Sequence, residues 1–143
     1  MNKLIVATDG SEGATRAIGA AARLAKQLGA SLLIVHVNDG LNDAELEFGA
    51  KIENVGLAEM LDALSRQVLG KALEQARLAG AGAIQVESCS GDAAQQIVEI
   101  AQREHADAIV VGRRGLGRLS GILLGSVSQK IVSLAPCIVV VVP

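Results

Sequence analysis

The sequence predicts a single-domain α/β protein: a doubly wound, five-stranded parallel sheet of the Rossmann-like type, with helices on both faces. Three observations predict it. Short runs of Val, Ile, Leu and Ala alternate with stretches of helical period along the whole chain. In most of these runs consecutive residues are apolar, as in strands buried on both faces, where a half-exposed strand would alternate. The 143 residues also suit one domain (1–143) that buries roughly two-thirds of its unfolded surface.

Taken in order, KLIVAT (3–8) reads as a buried strand, and DGS turns the chain. Ala14, Ala17, Ile18, Ala21, Leu24, Ala25 and Leu28 recur at helical spacing, and Gly29 is placed to end that helix. SLLIVHV (31–37) is the second strand, and a polar, irregular stretch follows to about Asp43. A weaker helical region reaches Ala79, bent or interrupted near Gly49 or Gly56, and GAG at 80–82 stops it. Ala83 to Cys89 is the third strand. Asp92 and Gln95 resemble a capping box for a helix lined by Ile97, Ile100 and Ala101. Ala106 to Val111 is the fourth strand, Ser126 to Leu134 a helix ending before Pro136, and CIVVVV (137–142) the fifth strand. Ligands of such sheets bind beyond the carboxyl ends of the strands, where the winding reverses.

Composition narrows the function. Phe48 is the only aromatic residue, so the core is aliphatic and the base-stacking platforms of nucleic-acid modules are missing. The net charge of −2 is uneven: residues 108–143 hold Arg113, Arg114, Arg118 and Lys130 and no acid, whereas residues 1–107 are acidic overall. That balance argues against a general nucleic-acid or membrane-surface role and favours a local anion site in the last quarter. Cys89 and Cys137 make no CxxC pair, and His36 and His105 no HxxxH arrangement. Reduced, packed thiols are expected, and with no signal peptide or transmembrane stretch the expected location is the cytoplasm.

Residues 108–128, AIVVGRRGLGRLSGILLGSVS, carry the chemistry. A buried strand empties at Gly112 into a loop with Gly115, Gly117, Gly121 and Gly125, and Ser126 and Ser128 open the next helix. Unscreened backbone N–H groups at the positive end of a helix suit phosphate. The set Gly112, Gly115, Gly125 and Ser126 has the spacing G-x2-G-x9-G-S. There is no GxxxxGK[ST], and GLGRLS (115–120) breaks the GxGxxG fingerprint at Ser120.

With that spacing the chain resembles a universal stress protein of the nucleotide-binding subgroup. The likeness extends over the whole length, through Asp9-Gly10-Ser11 after the first strand, VHV ending the second, Gly91 before the third long helix and the closing valine strand. It implies an adenine nucleotide alpha hydrolase-like fold and ATP as ligand, carried with or without Mg²⁺. Gly112 and Gly115 would let the backbone approach phosphate, Gly125 and Ser126 would bring N–H groups and a hydroxyl, and Val127 would add its backbone. Asp9 matches an acid near the nucleoside and Val37 a backbone reader of the adenine edge, with Ala7, Thr8 and Val111 as neighbouring wall. Arg113, Arg114 and Arg118 would add attraction. It also implies a homodimer through strand 138–142. One departure is visible: Ile138, where many relatives have proline, follows Cys137.

Plainer roles stand beside these. Asp9 also suits a turn acid, Ser11 a helix N-cap, Gly117 and Gly121 conformational glycines, His36 a packed core residue and His105 a surface helix end. The expected function is a cytoplasmic ATP-binding stress or regulatory protein in which occupancy is a signal, with an unknown client protein. Hydrolysis, if any, is expected to be slow, since no second acid is positioned for Mg²⁺. The alternatives are a slow ATP hydrolase and a nucleotide-independent interaction module.

Overall fold

The structure is a computed structural model, and it describes residues 1–38, 56–113 and 124–143. Among the described residues nine elements follow in order: β1 (Lys3–Ala7), α1 (Glu12–Leu28), β2 (Ser31–Asn38), α2 (Gly56–Leu78), β3 (Ile84–Ser90), α3 (Ala93–Arg103), β4 (Ala108–Gly112), α4 (Ser126–Leu134) and β5 (Ile138–Val142). The five strands form one parallel sheet in the order β3-β2-β1-β4-β5. The winding therefore reverses between β1 and β4.

The pleat of the strands divides the core in two. Leu4, Val6, Leu32, Ile34, Ala108 and Val110 pack with Ala17, Ile18 and Ala21 of α1 and with Leu69, Ala72 and Ala76 of α2. Ile5, Leu33, Val35, Ile109 and Val111, from alternate positions, pack with Ile97 and Ile100 of α3 and Ile131 of α4. Burial on both faces is what makes the inner strands β1, β2 and β4 read as continuous apolar runs. Small residues dominate the α1 contact, so that helix lies close to the sheet.

Helix ends follow local chemistry. The Ser11 hydroxyl accepts the Ala14 N–H at 3.2 Å, and Gly29 closes α1 at φ 65°, a left-handed conformation that favours glycine. Asp92 caps α3 by accepting the Gln95 N–H at 3.0 Å. The Gln95 side chain, however, reaches Glu99, so the reciprocal half of the expected capping box is not made.

Strand boundaries differ from expectation by a residue or two: β1 ends at Ala7, β2 at Asn38, β3 runs Ile84–Ser90, β4 runs Ala108–Gly112 and β5 starts at Ile138. β4 begins at Ala108, because the Ala106 N–H is used to close α3 by donating to Ala101 O at 3.0 Å. The described part of the long helix begins at Gly56, and Gly49 lies outside the described residues.

Candidate functional site

The register of the central strands opens a crevice. β1 and β4 pair from Leu4–Ala108 to Val6–Val110 and no further. Beyond that point β1 stays with β2, through Ala7–Val35 and a Thr8 N–H bond to Val35 O at 2.9 Å. β4 stays with β5 instead, through Val111–Val141, Gly112–Val142 and an Arg113 N–H bond to Val142 O at 2.8 Å. The carboxyl ends of the two inner strands thus part at the point where ligands of doubly wound sheets bind.

Ala7, Val37, Val111 and Val127 belong to, or pack against, one apolar cluster on the α3/α4 side of this opening. Sequence reasoning grouped Ala7 and Val111 and named Val37 and Val127 apart from them, and the fold brings all four to one apolar cluster. Thr8 is buried, and its hydroxyl accepts the Gly10 N–H at 3.2 Å. Asp9 is exposed, and its Oδ1 accepts the Ser11 N–H at 2.9 Å. Asp9 and Ser11 therefore build the turn into α1, whatever else they touch.

Gly112 faces the other way. A Cβ placed there would lie 3.0 Å from the Gly13 carbonyl carbon and oxygen. No side chain fits between the end of β4 and the first turn of α1. The Gly112 carbonyl accepts the Ser128 hydroxyl at 2.6 Å, and the Arg113 carbonyl accepts the Gly125 N–H at 2.8 Å. Gly125 is the N-cap of α4, but its own N–H is committed to Arg113 and is not offered outward as the sequence had suggested. The N–H groups of Ser126, Val127 and Ser128 follow, and among the described residues none has an acceptor. Ser126 is exposed and Val127 half-buried.

Two cations in this quarter of the chain differ in kind. Lys130 is held by Asp92 at 3.0 Å, which joins the start of α3 to the middle of α4. The Gln95 N–H, and then the Lys130 ammonium, keep the Asp92 carboxyl below its ordinary range. Arg113 has a buried Nε with no hydrogen-bond partner. An unsatisfied buried donor on a charged group is costly, on the order of 1–3 kcal/mol or more. Gly115, Arg114 and Arg118, with Gly117 and Gly121, lie outside the described residues. Among the described residues no group of three or more His, Cys, Asp or Glu side chains could hold a metal ion.

The buried roles of two serines escaped sequence reasoning. Ser128 is 3% exposed and shares the inward face of α4 with Ile131, a spacing that could have marked it as buried. Ser65 precedes Leu69, Ala72 and Ala76 on the buried stripe of α2. Its Oγ lies 2.9 Å from His36 Nδ1 and accepts from Asn38 Nδ2 at 2.9 Å. His36 is thus a packed residue tying β2 to α2, and His105 is exposed at the end of α3.

A parallel sheet that opens at its switch point beside a helix start defines a Rossmann-like α/β protein. Within that class, the chain belongs to the universal stress protein family, which it matches over residues 1–143. It is similar to a universal stress protein of Thermus aquaticus, 37% identical over 143 residues that cover 97% of this chain and 96% of the relative. The solved structure of the protein designated MJ0577 superposes with a TM-score of 0.83 at 26% identity, covering 99% of this chain and 94% of that one. A universal stress protein in complex with cAMP superposes with a TM-score of 0.73 at 28% identity, covering 99% and 97%.

Proposed function

We propose that this protein binds an adenine nucleotide, ATP, in the crevice between β1 and β4, and that occupancy acts as a regulatory signal to a client protein. One observation carries the reading. Arg113, whose carbonyl accepts the Gly125 N–H at the start of α4, carries a buried Nε without a partner, and the N–H groups of Ser126 and Val127 follow Gly125 in the chain. An anion there would satisfy donors that nothing in the described chain satisfies, at the favourable end of a helix. Gly115 would complete the phosphate loop, and Asp9, with the backbone of Val37, would face the nucleoside. The apolar wall of Ala7, Val37 and Val111 suits a base and ribose. The cAMP complex of a relative supports the ligand class.

Saturating ATP should raise the melting temperature, since a 100-fold excess over Kd adds ~2.7 kcal/mol to stability. Absence of any shift with ATP, ADP and AMP, together with no nucleotide released from the freshly purified protein, would overturn the proposal.

The reading includes a homodimer through residues 138–142. β5 is an edge strand of valines, with Ile138 54% exposed, and Val132 and Leu134 of α4 are exposed as well. An apolar edge of this kind is a liability in a monomer, and pairing with a second copy covers it. No helix among the described residues is long and apolar enough to cross a membrane.

A further inference from the structure

A phosphate cradle at the end of a strand has an electrostatic difficulty. The carbonyls of Gly112, which ends β4, and of Arg113 just after it carry partial negative charge, and an anion beside bare carbonyl oxygens is repelled. Here both are occupied. Arg113 O accepts the Gly125 N–H at 2.8 Å, and Gly112 O accepts the Ser128 hydroxyl at 2.6 Å. The first bond is backbone to backbone and needs no particular side chain. The second needs a hydroxyl at the third residue of α4. Ser128 is buried, so it meets no solvent-borne ligand directly, in contrast to exposed Ser126.

We infer that Ser128 is a positioning residue: its hydroxyl draws the Gly112 carbonyl onto α4, so that only donors face the bound phosphates. The inference rests on the nucleotide-binding reading and deepens it. It makes Ser128 a determinant of preference for phosphorylated over unphosphorylated nucleosides. On the side of α1 Gly112 is also closely neighboured, since a Cβ built there would stand 3.0 Å from the Gly13 carbonyl. With the hydroxyl removed, the Gly112 carbonyl has no donor from α4 and stands as a bare acceptor beside the anion. The penalty then falls on the charged part of the ligand.

The test is titration calorimetry of wild type, Ser128→Ala and Ser128→Cys with ATP and adenosine. Cysteine nearly preserves the volume while offering only a weak donor, which guards against collapse of the buried site. Both variants should lose roughly tenfold in ATP affinity but less than about twofold for adenosine, as expected for one lost hydrogen bond felt mainly by charge. Ser128→Thr, which keeps the hydroxyl, should restore ATP binding. Equal losses for ATP and adenosine, or no loss, would overturn the positioning role and leave nucleotide binding standing. Failure of the wild type to bind either ligand would overturn both.

Discussion

Gly112 shows how one residue answers to two neighbours. Its spacing in the glycine loop suggests a backbone left bare for phosphate, yet the nearest atoms to a Cβ there are those of Gly13, at 3.0 Å. The protein itself uses the missing side chain, to seat α1 against the end of β4. Gly112→Ala should therefore destabilise the fold without any ligand, by about 1–3 kcal/mol, the usual cost of overpacking. Urea unfolding in nucleotide-free buffer would measure it, and an unchanged midpoint would contradict the close approach. The loop pattern was legible at this position because glycine is rare in buried strands. Its second reason was not, because Gly13 is 99 residues away in the chain and meets Gly112 only after folding.

Between elements, the fold is held at both ends of the central strands. At the end remote from the crevice, Asp107 Oδ2 accepts the N–H groups of Asn2 at 2.6 Å and Lys3 at 3.0 Å, tying the start of β1 to the approach to β4. The Lys3 N–H, and then the Asn2 N–H, hold the Asp107 carboxyl below its ordinary value. A carboxyl lowered in the folded state stabilises the fold above its unfolded pKa, and that contribution is lost as pH falls through the folded value. The difference in melting temperature between wild type and Asp107→Asn should be present at neutral pH and shrink below about pH 4. A difference that persists unchanged into more acid solution would rule out the ionised tether. At this scale the helices and strands were readable from periodicity and caps, as Ser11, Gly29 and Asp92 show. The start of β4 was not, since Ala106 is as apolar as its neighbours and only its bond to Ala101 O assigns it to the end of α3.

For the whole molecule, the sheet order leaves β3 and β5 at the edges, and they differ. β3 carries Gln85, Glu87, Ser88 and Ser90, whereas β5 carries Ile138 and four valines. Polar residues suit an edge left in solvent, and an apolar one asks for a cover. Under the proposed dimer, Ile138→Glu should give a monomer by sedimentation while ATP binding is retained, because Ile138 sits at the opposite end of β5 from Val142, which pairs with Gly112. A monomeric wild type, or a variant that sediments unchanged, would refute that interface.

Patterns local in the chain were readable before folding: the alternation of elements, the aliphatic core, the glycine spacing and the caps. Each depends on residues within a few positions of one another, where periodicity and backbone preference dominate. Long-range pairing supplied the rest. The parting of β1 from β4, the gathering of Ala7, Val37, Val111 and Val127 on one wall, and the Ser128–Gly112 clamp all join segments far apart in sequence. Such contacts arise from which strands share hydrogen bonds, and a linear pattern carries no record of that choice.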